Sequence, residues 1–266
     1  MEANPEVIQP ADWQVDQAVP VFLIHDGGGT TFSYHCLAPL HRPVYGIYNP
    51  NFSSGESFDG GLCDMARLYV GFIIEAVGKD DFPRRYDANG KIQIILGGWS
   101  MGGHLSLEMA HQLDRKDANI QVIGILMIDT VYPQKHLNGT AGKTASEKSV
   151  EREDSSQILA DRAMADANRM IDSWTPPVWN RDSEERRPRI TLLRAIEMVP
   201  LDRDGTMPLS RKERKLGWDT YEKDLFFNVV DIEGHHFEVF AFKYLDGISE
   251  TIKEALDTLE NATLKD

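Results

Sequence analysis

Apolar residues along this 266-residue chain fall into two kinds of block. Short β-branched runs have the composition of buried strands: Val21-Phe22-Leu23-Ile24, Ile92-Gln93-Ile94-Ile95-Leu96, Val122 to Ile128, Ile190-Thr191-Leu192-Leu193 and Phe227 to Ile232. Between them apolar residues recur at helical spacing. Leu62, Met65, Ala66, Tyr69, Phe72, Ile73 and Ala76 form one stripe. Leu105, Met109 and Leu113 form a second, with Glu108 and Arg115 expected on its wetter side. Phe240, Tyr244, Ile248, Ile252, Ala255 and Leu259 mark a closing amphipathic helix. Strands near 21–25, 44–48, 92–97, 122–128, 190–194 and 227–232 thus alternate with helices. That order predicts an α/β chain with a mostly parallel sheet covered on both faces, in a single domain over residues 1–266.

The rhythm breaks over residues 134–188. The stretch 138–156 is rich in Gly, Lys, Glu and Ser and reads as mobile, whereas 157–180 offers Met164, Ala167, Ile171 and Trp174 at helical spacing, then Pro176-Pro177-Val178-Trp179. A long insertion inside a compact domain is commonly functional or disordered. Placed between two strands, it is expected to form a helical lid, with Trp174 and Trp179 as candidate substrate contacts. The plainer alternative is a helical hairpin packed on the body without touching substrate.

Chemistry enters with Gly98-Trp99-Ser100-Met101-Gly102, set between a strand-like and a helix-like run. This is the G-x-S-x-G nucleophile elbow, in which a tight turn projects a serine hydroxyl above the sheet and aims helix amides at it. Upstream, His25-Asp26-Gly27-Gly28-Gly29-Thr30 follows a strand and can present backbone N–H groups to an oxyanion. A phosphate loop is disfavoured there, because no Lys-Ser/Thr follows the glycines. Downstream, Gly234-His235-His236-Phe237 follows the last strand, where a general base is expected. For the acid, Asp129 abuts an unbroken strand and is favoured over Asp202 and Asp204, which lie several residues beyond theirs. Asp26 is read as fixing the glycine loop.

Composition narrows the classes. A formal charge of −14 disfavours nucleic acid as a partner, and 41% hydrophobic residues can fill one core. No signal-like leader or membrane-length apolar run is present, and Cys36 and Cys63 lack metal-site spacing. Both cysteines read as reduced, core or near-core thiols, and the expected location is cytoplasmic. Two basic clusters, Arg186-Arg187-Pro188-Arg189 and Arg211-Lys212-Glu213-Arg214-Lys215, stand against the acidic whole.

In chain order, His25-Asp26-Gly27-Gly28-Gly29, Gly98-Trp99-Ser100-Met101-Gly102-Gly103, Met127-Ile128-Asp129-Thr130 and Gly234-His235-His236-Phe237 resemble the thioesterase domains of polyketide synthases and nonribosomal peptide synthetases, within the α/β-hydrolase superfamily. Phe32-Ser33-Tyr34 and Arg42-Pro43-Val44-Tyr45-Gly46-Ile47 add a resemblance to fungal members. The resemblance implies a sheet lacking one or two leading strands and a triad of Ser100, Asp129 and His236. It also implies oxyanion donors at the amides of Met101 and Gly28. The triple glycine departs from the bulkier residue of many members, which leaves the second donor open by one position. The implied substrate is an acyl chain on the phosphopantetheine of an acyl or peptidyl carrier protein, with no metal or organic cofactor. The basic clusters are then candidates for docking an acidic carrier. A general carboxylesterase or lipase-like hydrolase, and a non-catalytic binding protein, are the competing readings.

Overall fold

The computed structural model describes residues 3–10, 18–116, 118–133, 155–179, 187–200 and 213–263. Its centre is a seven-stranded sheet formed by β1 (Glu6–Gln9), β2 (Val21–Ile24), β3 (Val44–Ile47), β4 (Ile92–Trp99), β5 (Ile120–Ile128), β6 (Arg189–Ala195) and β7 (Asn228–Ile232). The strand order is β1-β3-β2-β4-β5-β6-β7. All neighbours are parallel except β1, which runs antiparallel to β3 at the edge. This α/β sheet is the α/β-hydrolase architecture implied by the sequence. One strand, not placed from the sequence, precedes the strand that leads into the glycine loop.

Parallel central strands are buried on both faces, which explains their unbroken apolar runs. On one face α2 (Gly61–Gly78) and α3 (Met101–Arg115) pack Leu62, Met65, Tyr69, Ile73, Leu105 and Met109 against Phe22, Ile94 and Ile125. On the other, α5 (Leu245–Thr263) sets Ile248, Ile252, Leu256 and Leu259 against Ile95, Ile123 and Leu126, with Tyr34 of the short α1 (Phe32–His35) beside them. Helix α4 (Ser155–Ser173) lies within the expected insertion. Most of the 138–156 stretch and the candidate acids Asp202 and Asp204 lie outside the described residues. Among the described residues no helix is long and apolar enough to cross a membrane.

Several local expectations change. The closing helix begins at Leu245, and Phe240 and Tyr244 belong to the turns before it. Glu108, expected on the wet side of its helix, is buried. Cys36 is exposed at the end of α1, against the near-core position expected, while Cys63 is half-buried and both thiols are free.

One buried hydroxyl ties the sheet edge together. Tyr34 Oη donates to the carbonyl of Ile24 at 2.7 Å and accepts the Trp99 N–H at 2.9 Å, with the residue 2% exposed. It therefore bridges the carboxyl ends of β2 and β4, one residue before Ser100. Burial holds the phenol well above its ordinary pKa, with the Trp99 N–H drawing it part of the way back. Tyr34→Phe removes the oxygen and orphans both backbone groups, so a loss of about 1–3 kcal/mol is expected in chemical denaturation. Activity should fall with it, because the elbow loses one of its restraints.

Candidate active site

Ser100 sits between β4 and α3 with φ 54° and ψ −114°, a conformation that side-chain-bearing residues rarely adopt. Its neighbours make that possible. A Cβ on Gly98 would stand 2.6 Å from the Ile24 carbonyl oxygen, and one on Gly102 only 2.3 Å from the same atom. Glycine at both positions lets the first turn of α3 press against the end of β2. The turn is then held by Ser100 N–H to Ile128 O (2.8 Å), Gly103 N–H to Ser100 O (3.1 Å) and Thr130 Oγ1–H to Ser100 O (3.0 Å).

Three side chains converge on this turn from separate elements. His236 Nε2 lies 3.1 Å from Ser100 Oγ, and its Nδ1 lies 2.8 Å from Asp129 Oδ2. The other carboxylate oxygen of Asp129 accepts the Ala195 N–H at 2.9 Å. Asp129 is fully buried and His236 is 7% exposed. Asp129 has a positive φ of 47° and its N–H bonds Leu193 O at 2.7 Å, so it leaves β5 in a sharp turn toward the histidine. A carboxylate can only accept, so Nδ1 carries the imidazole proton and Nε2 is free to accept one from Ser100. Gly234, with φ 84°, starts the turn that delivers His236. His235 points elsewhere: its Nε2 lies 3.5 Å from Glu238.

The glycine loop has its own order. Gly29 N–H closes on Asp26 O at 3.1 Å, and Asp26 Oδ1 accepts the Gly28 N–H at 3.0 Å. The amide expected as second oxyanion donor is therefore already engaged, whereas the Gly27 N–H has no hydrogen-bond partner among the described residues. Met101 opens α3, where the first N–H groups have no intrahelical acceptor. Beneath the loop, His25 Nδ1–H donates to Asp26 O and its Nε2 accepts the Tyr69 hydroxyl at 2.6 Å. Burial pushes the His25 pKa down to about 4, so this pair is neutral.

With this geometry in view, the relationships of the chain are decisive. The profile of the thioesterase domain family matches residues 19–256. The chain belongs to that family. A probable thioesterase, BOA10 of Botryotinia fuckeliana, is 30% identical over 97% of this chain and 92% of its own length. The thioesterase frbE of a Dothideomycetidae species is 32% identical over 97% of this chain and 96% of its own. Among solved structures, the NocB thioesterase domain in covalent complex with a fluorophosphonate nocardicin G analogue superposes with a TM-score of 0.63. It is 23% identical, with 90% of this chain and 95% of that one covered, and so it supports the fold.

The two tryptophans expected at the site lie along α3. Trp174 is 4% exposed, donates its Nε1–H to Glu108 Oε2 at 3.1 Å and meets His104 edge-on. It faces α3 and anchors the end of α4 there. Trp179 is half-buried against His111, further along α3. Residues of the insertion that do reach the glycine loop are Met164, Ala167 and Ala163, and the Met164 sulfur would stand 2.7 Å from a Cβ on Gly27.

Arg187 and Arg189 are at the amino end of β6, the opposite sheet edge from Asp129, and Arg187 is paired with Glu222 at 2.6 Å. Arg214 bonds Val229 O and faces Asp231, and Lys215 pairs with Asp219; Arg186, Arg211 and Lys212 are outside the described residues.

Sequence periodicity assigned Glu108 to solvent because it cannot see α4. Glu108 Oε1 also accepts Gln112 Nε2–H at 2.9 Å, and partial burial, aided by this carboxylate, pushes the Cys63 thiol up to about 11. Trp174→Phe should leave Glu108 buried without one of its donors and cost about 1–3 kcal/mol. Thermal denaturation of that variant, beside Glu108→Gln with its retained acceptor and smaller loss, checks the anchor.

Proposed function

We propose that this thioesterase releases a polyketide or nonribosomal peptide acyl chain from a carrier-protein thioester, with Ser100 as nucleophile, His236 as general base and acid, and Asp129 as the orienting carboxylate. The observation that carries the reading is the unbroken chain Ser100 Oγ, His236 Nε2, His236 Nδ1, Asp129 Oδ2, with links of 3.1 and 2.8 Å. His236 takes the Ser100 proton as Oγ attacks the thioester carbonyl. The imidazolium then returns that proton to the departing thiolate, leaving an acyl-serine and a free thiol. In the second half, water or an internal hydroxyl or amine gives its proton to His236 and attacks the acyl-serine, and Ser100 recovers its hydrogen. Asp129 stabilises the imidazolium in both halves.

The oxyanion of each tetrahedral intermediate needs donors already aimed at it. Met101 N–H supplies one. For the second we favour Gly27 over Gly28, since the Gly28 amide is given to Asp26 and the Gly27 amide is free of such a bond. Each such donor is worth roughly 3 kcal/mol in comparable sites. The insertion over 134–188 acts in this reading as a lid on one domain, with Met164 over the loop. The partner is an acyl or peptidyl carrier protein and the location cytoplasmic, consistent with two free thiols.

Ser100→Ala and His236→Ala should each abolish release from a carrier-linked thioester, while His235→Ala keeps most of it. Asp129→Asn should cut kcat by about 10⁴, the cost of the wrong tautomer in a comparable triad. Mass spectrometry after fluorophosphonate treatment should find the label on Ser100. Wild-type turnover in Asp129→Asn, or equal inactivation of both histidine variants while folded, would refute the assignment. Preference for simple esters over carrier-linked thioesters would move the substrate to that of a general esterase.

A further inference from the structure

The Gly27 N–H shares one peptide plane with the Asp26 carbonyl. A trans peptide is planar, and its C=O and N–H point in opposite directions. Whatever holds the Asp26 oxygen therefore aims the Gly27 hydrogen.

Two donors converge on that oxygen. Gly29 N–H reaches it at 3.1 Å and closes a β-turn with Gly27 and Gly28 at its centre. His25 Nδ1–H reaches it at 2.5 Å from the preceding side chain. With the carbonyl turned inward, the Gly27 N–H leaves the outer side of the turn, where nothing among the described residues takes it.

His25 is itself fixed from two directions. Its backbone N–H bonds Ile47 O on β3 at 3.0 Å, and the residue is 1% exposed. Its Nε2 accepts the hydroxyl of Tyr69, a fully buried residue of α2, at 2.6 Å. Burial holds the Tyr69 phenol well above its ordinary pKa, so it keeps its hydrogen and gives it to Nε2. The ring's own proton must then sit on Nδ1, the nitrogen that faces Asp26 O. An unbroken chain thus runs from α2 through Tyr69 Oη, His25 and Asp26 O to the Gly27 amide.

We propose that His25, in the tautomer set by Tyr69, is a positioning residue of the oxyanion hole: it holds the Asp26–Gly27 peptide with the Gly27 N–H outward, toward the developing oxyanion. The inference rests on Ser100 as nucleophile and Gly27 as second donor. It assigns a task that the Asp26 side chain does not perform, since that carboxylate binds the next amide, of Gly28. The restraint matters because glycine rotates freely. A flipped 26–27 peptide would turn a carbonyl oxygen, in place of a donor, toward the negative charge.

Asparagine and glutamine separate the two ends of the imidazole. His25→Asn sets an amide nitrogen where Nδ1 stands, which keeps the bond to Asp26 O and leaves the Tyr69 hydroxyl without its acceptor. His25→Gln sets its amide where Nε2 stands, which keeps Tyr69 and leaves Asp26 O to Gly29 alone. Both are compared with wild type in chemical denaturation, and in kcat and KM on a carrier-linked thioester after active-site titration with fluorophosphonate. A third measurement is inhibition by a trifluoromethyl ketone analogue, whose adduct on Ser100 carries an oxyanion. In His25→Gln, kcat should fall by about ten- to a hundredfold with KM little changed, and ketone affinity should fall in proportion. His25→Asn should stay within about threefold of wild type in both, although it is the less stable variant. Activity and stability then rank the pair in opposite orders, which a merely structural role would not produce.

Equal kcat and ketone affinity in the two folded variants, or activity that follows stability, overturns the proposal. Should either variant fail to fold, Tyr69→Phe replaces it. Without the phenol the imidazole is free to carry its proton on Nε2, so kcat and ketone affinity should fall together at unchanged KM. Wild-type values of both overturn the proposal. Turnover by Ser100→Ala overturns the triad instead, and a crystal structure of the ketone adduct with its oxygen on Gly28 N–H overturns the donor assignment. These failures are read without the His25 pair and so are distinct from its own.

Discussion

The contact on which the rest depends is the approach of the first turn of α3 to the end of β2. Gly102 lies so close to the Ile24 carbonyl that a methyl group there would sit 2.3 Å from the oxygen, and Gly98 is nearly as confined. That approach forces Ser100 into its strained backbone angles, a conformation costing of order 1–3 kcal/mol. The cost is offset by hydrogen bonds that each cross between elements: Ser100 N–H to β5, Thr130 Oγ1 to Ser100 O, Trp99 N–H to Tyr34. Strain, hydroxyl exposure and the aim of the Met101 amide are then one geometric fact. Relaxing the turn would lose all three.

Burial sets the division of labour among the polar groups around that turn. Asp129 is removed from water and fully bonded, which suits a group that must stay fixed while charge appears on His236. His25 and His104 are also buried, but each gives its one proton to a backbone carbonyl, Asp26 O and Val131 O respectively, and burial keeps both neutral. They support the loops beside the serine without competing for its proton. His235 shows the converse, since one residue of displacement along a turn carries it to Glu238 and away from Ser100.

Periodicity and motif made much of this visible in the sequence. Strands β2 through β6 are apolar because both faces are covered, and that burial is legible as composition. Ser100, Asp129 and His236 were legible because each follows a strand, and a parallel sheet gathers its carboxyl ends at one edge. What stayed hidden depends on contacts between distant segments. Strand β1 has only four residues of mixed character, and pairs with β3 at an edge where no apolar run is required. Tyr34 looks like any aromatic until its hydroxyl is seen between Ile24 and Trp99. Glu108 lies on the polar side of its own helix, and only α4 and Trp174 make that side an interior. Arg187 stands just before β6, and its pairing with Glu222 is a contact between segments that composition does not show.

The triple glycine follows from the same kind of contact. A side chain at Gly27 would meet Met164 Sδ at 2.7 Å and Ala167 Cβ at 3.3 Å, both on α4. At Gly29 it would meet Phe52 at 3.1 Å and Ala163 Cβ at 3.6 Å, on a backbone whose φ of 82° already favours glycine. Helix α4 thus rests directly on the loop, presenting two alanines and a flexible thioether to it. The volume that a bulkier loop residue would fill is filled here by Met164 from the insertion. The departure at the glycines and the apolar stripe of α4 are therefore one packing solution, divided between two segments more than a hundred residues apart. It also bears on the oxyanion donor. With no side chain at Gly27, the position of its amide is set by the Asp26–Gly28 bond on one side and by α4 on the other.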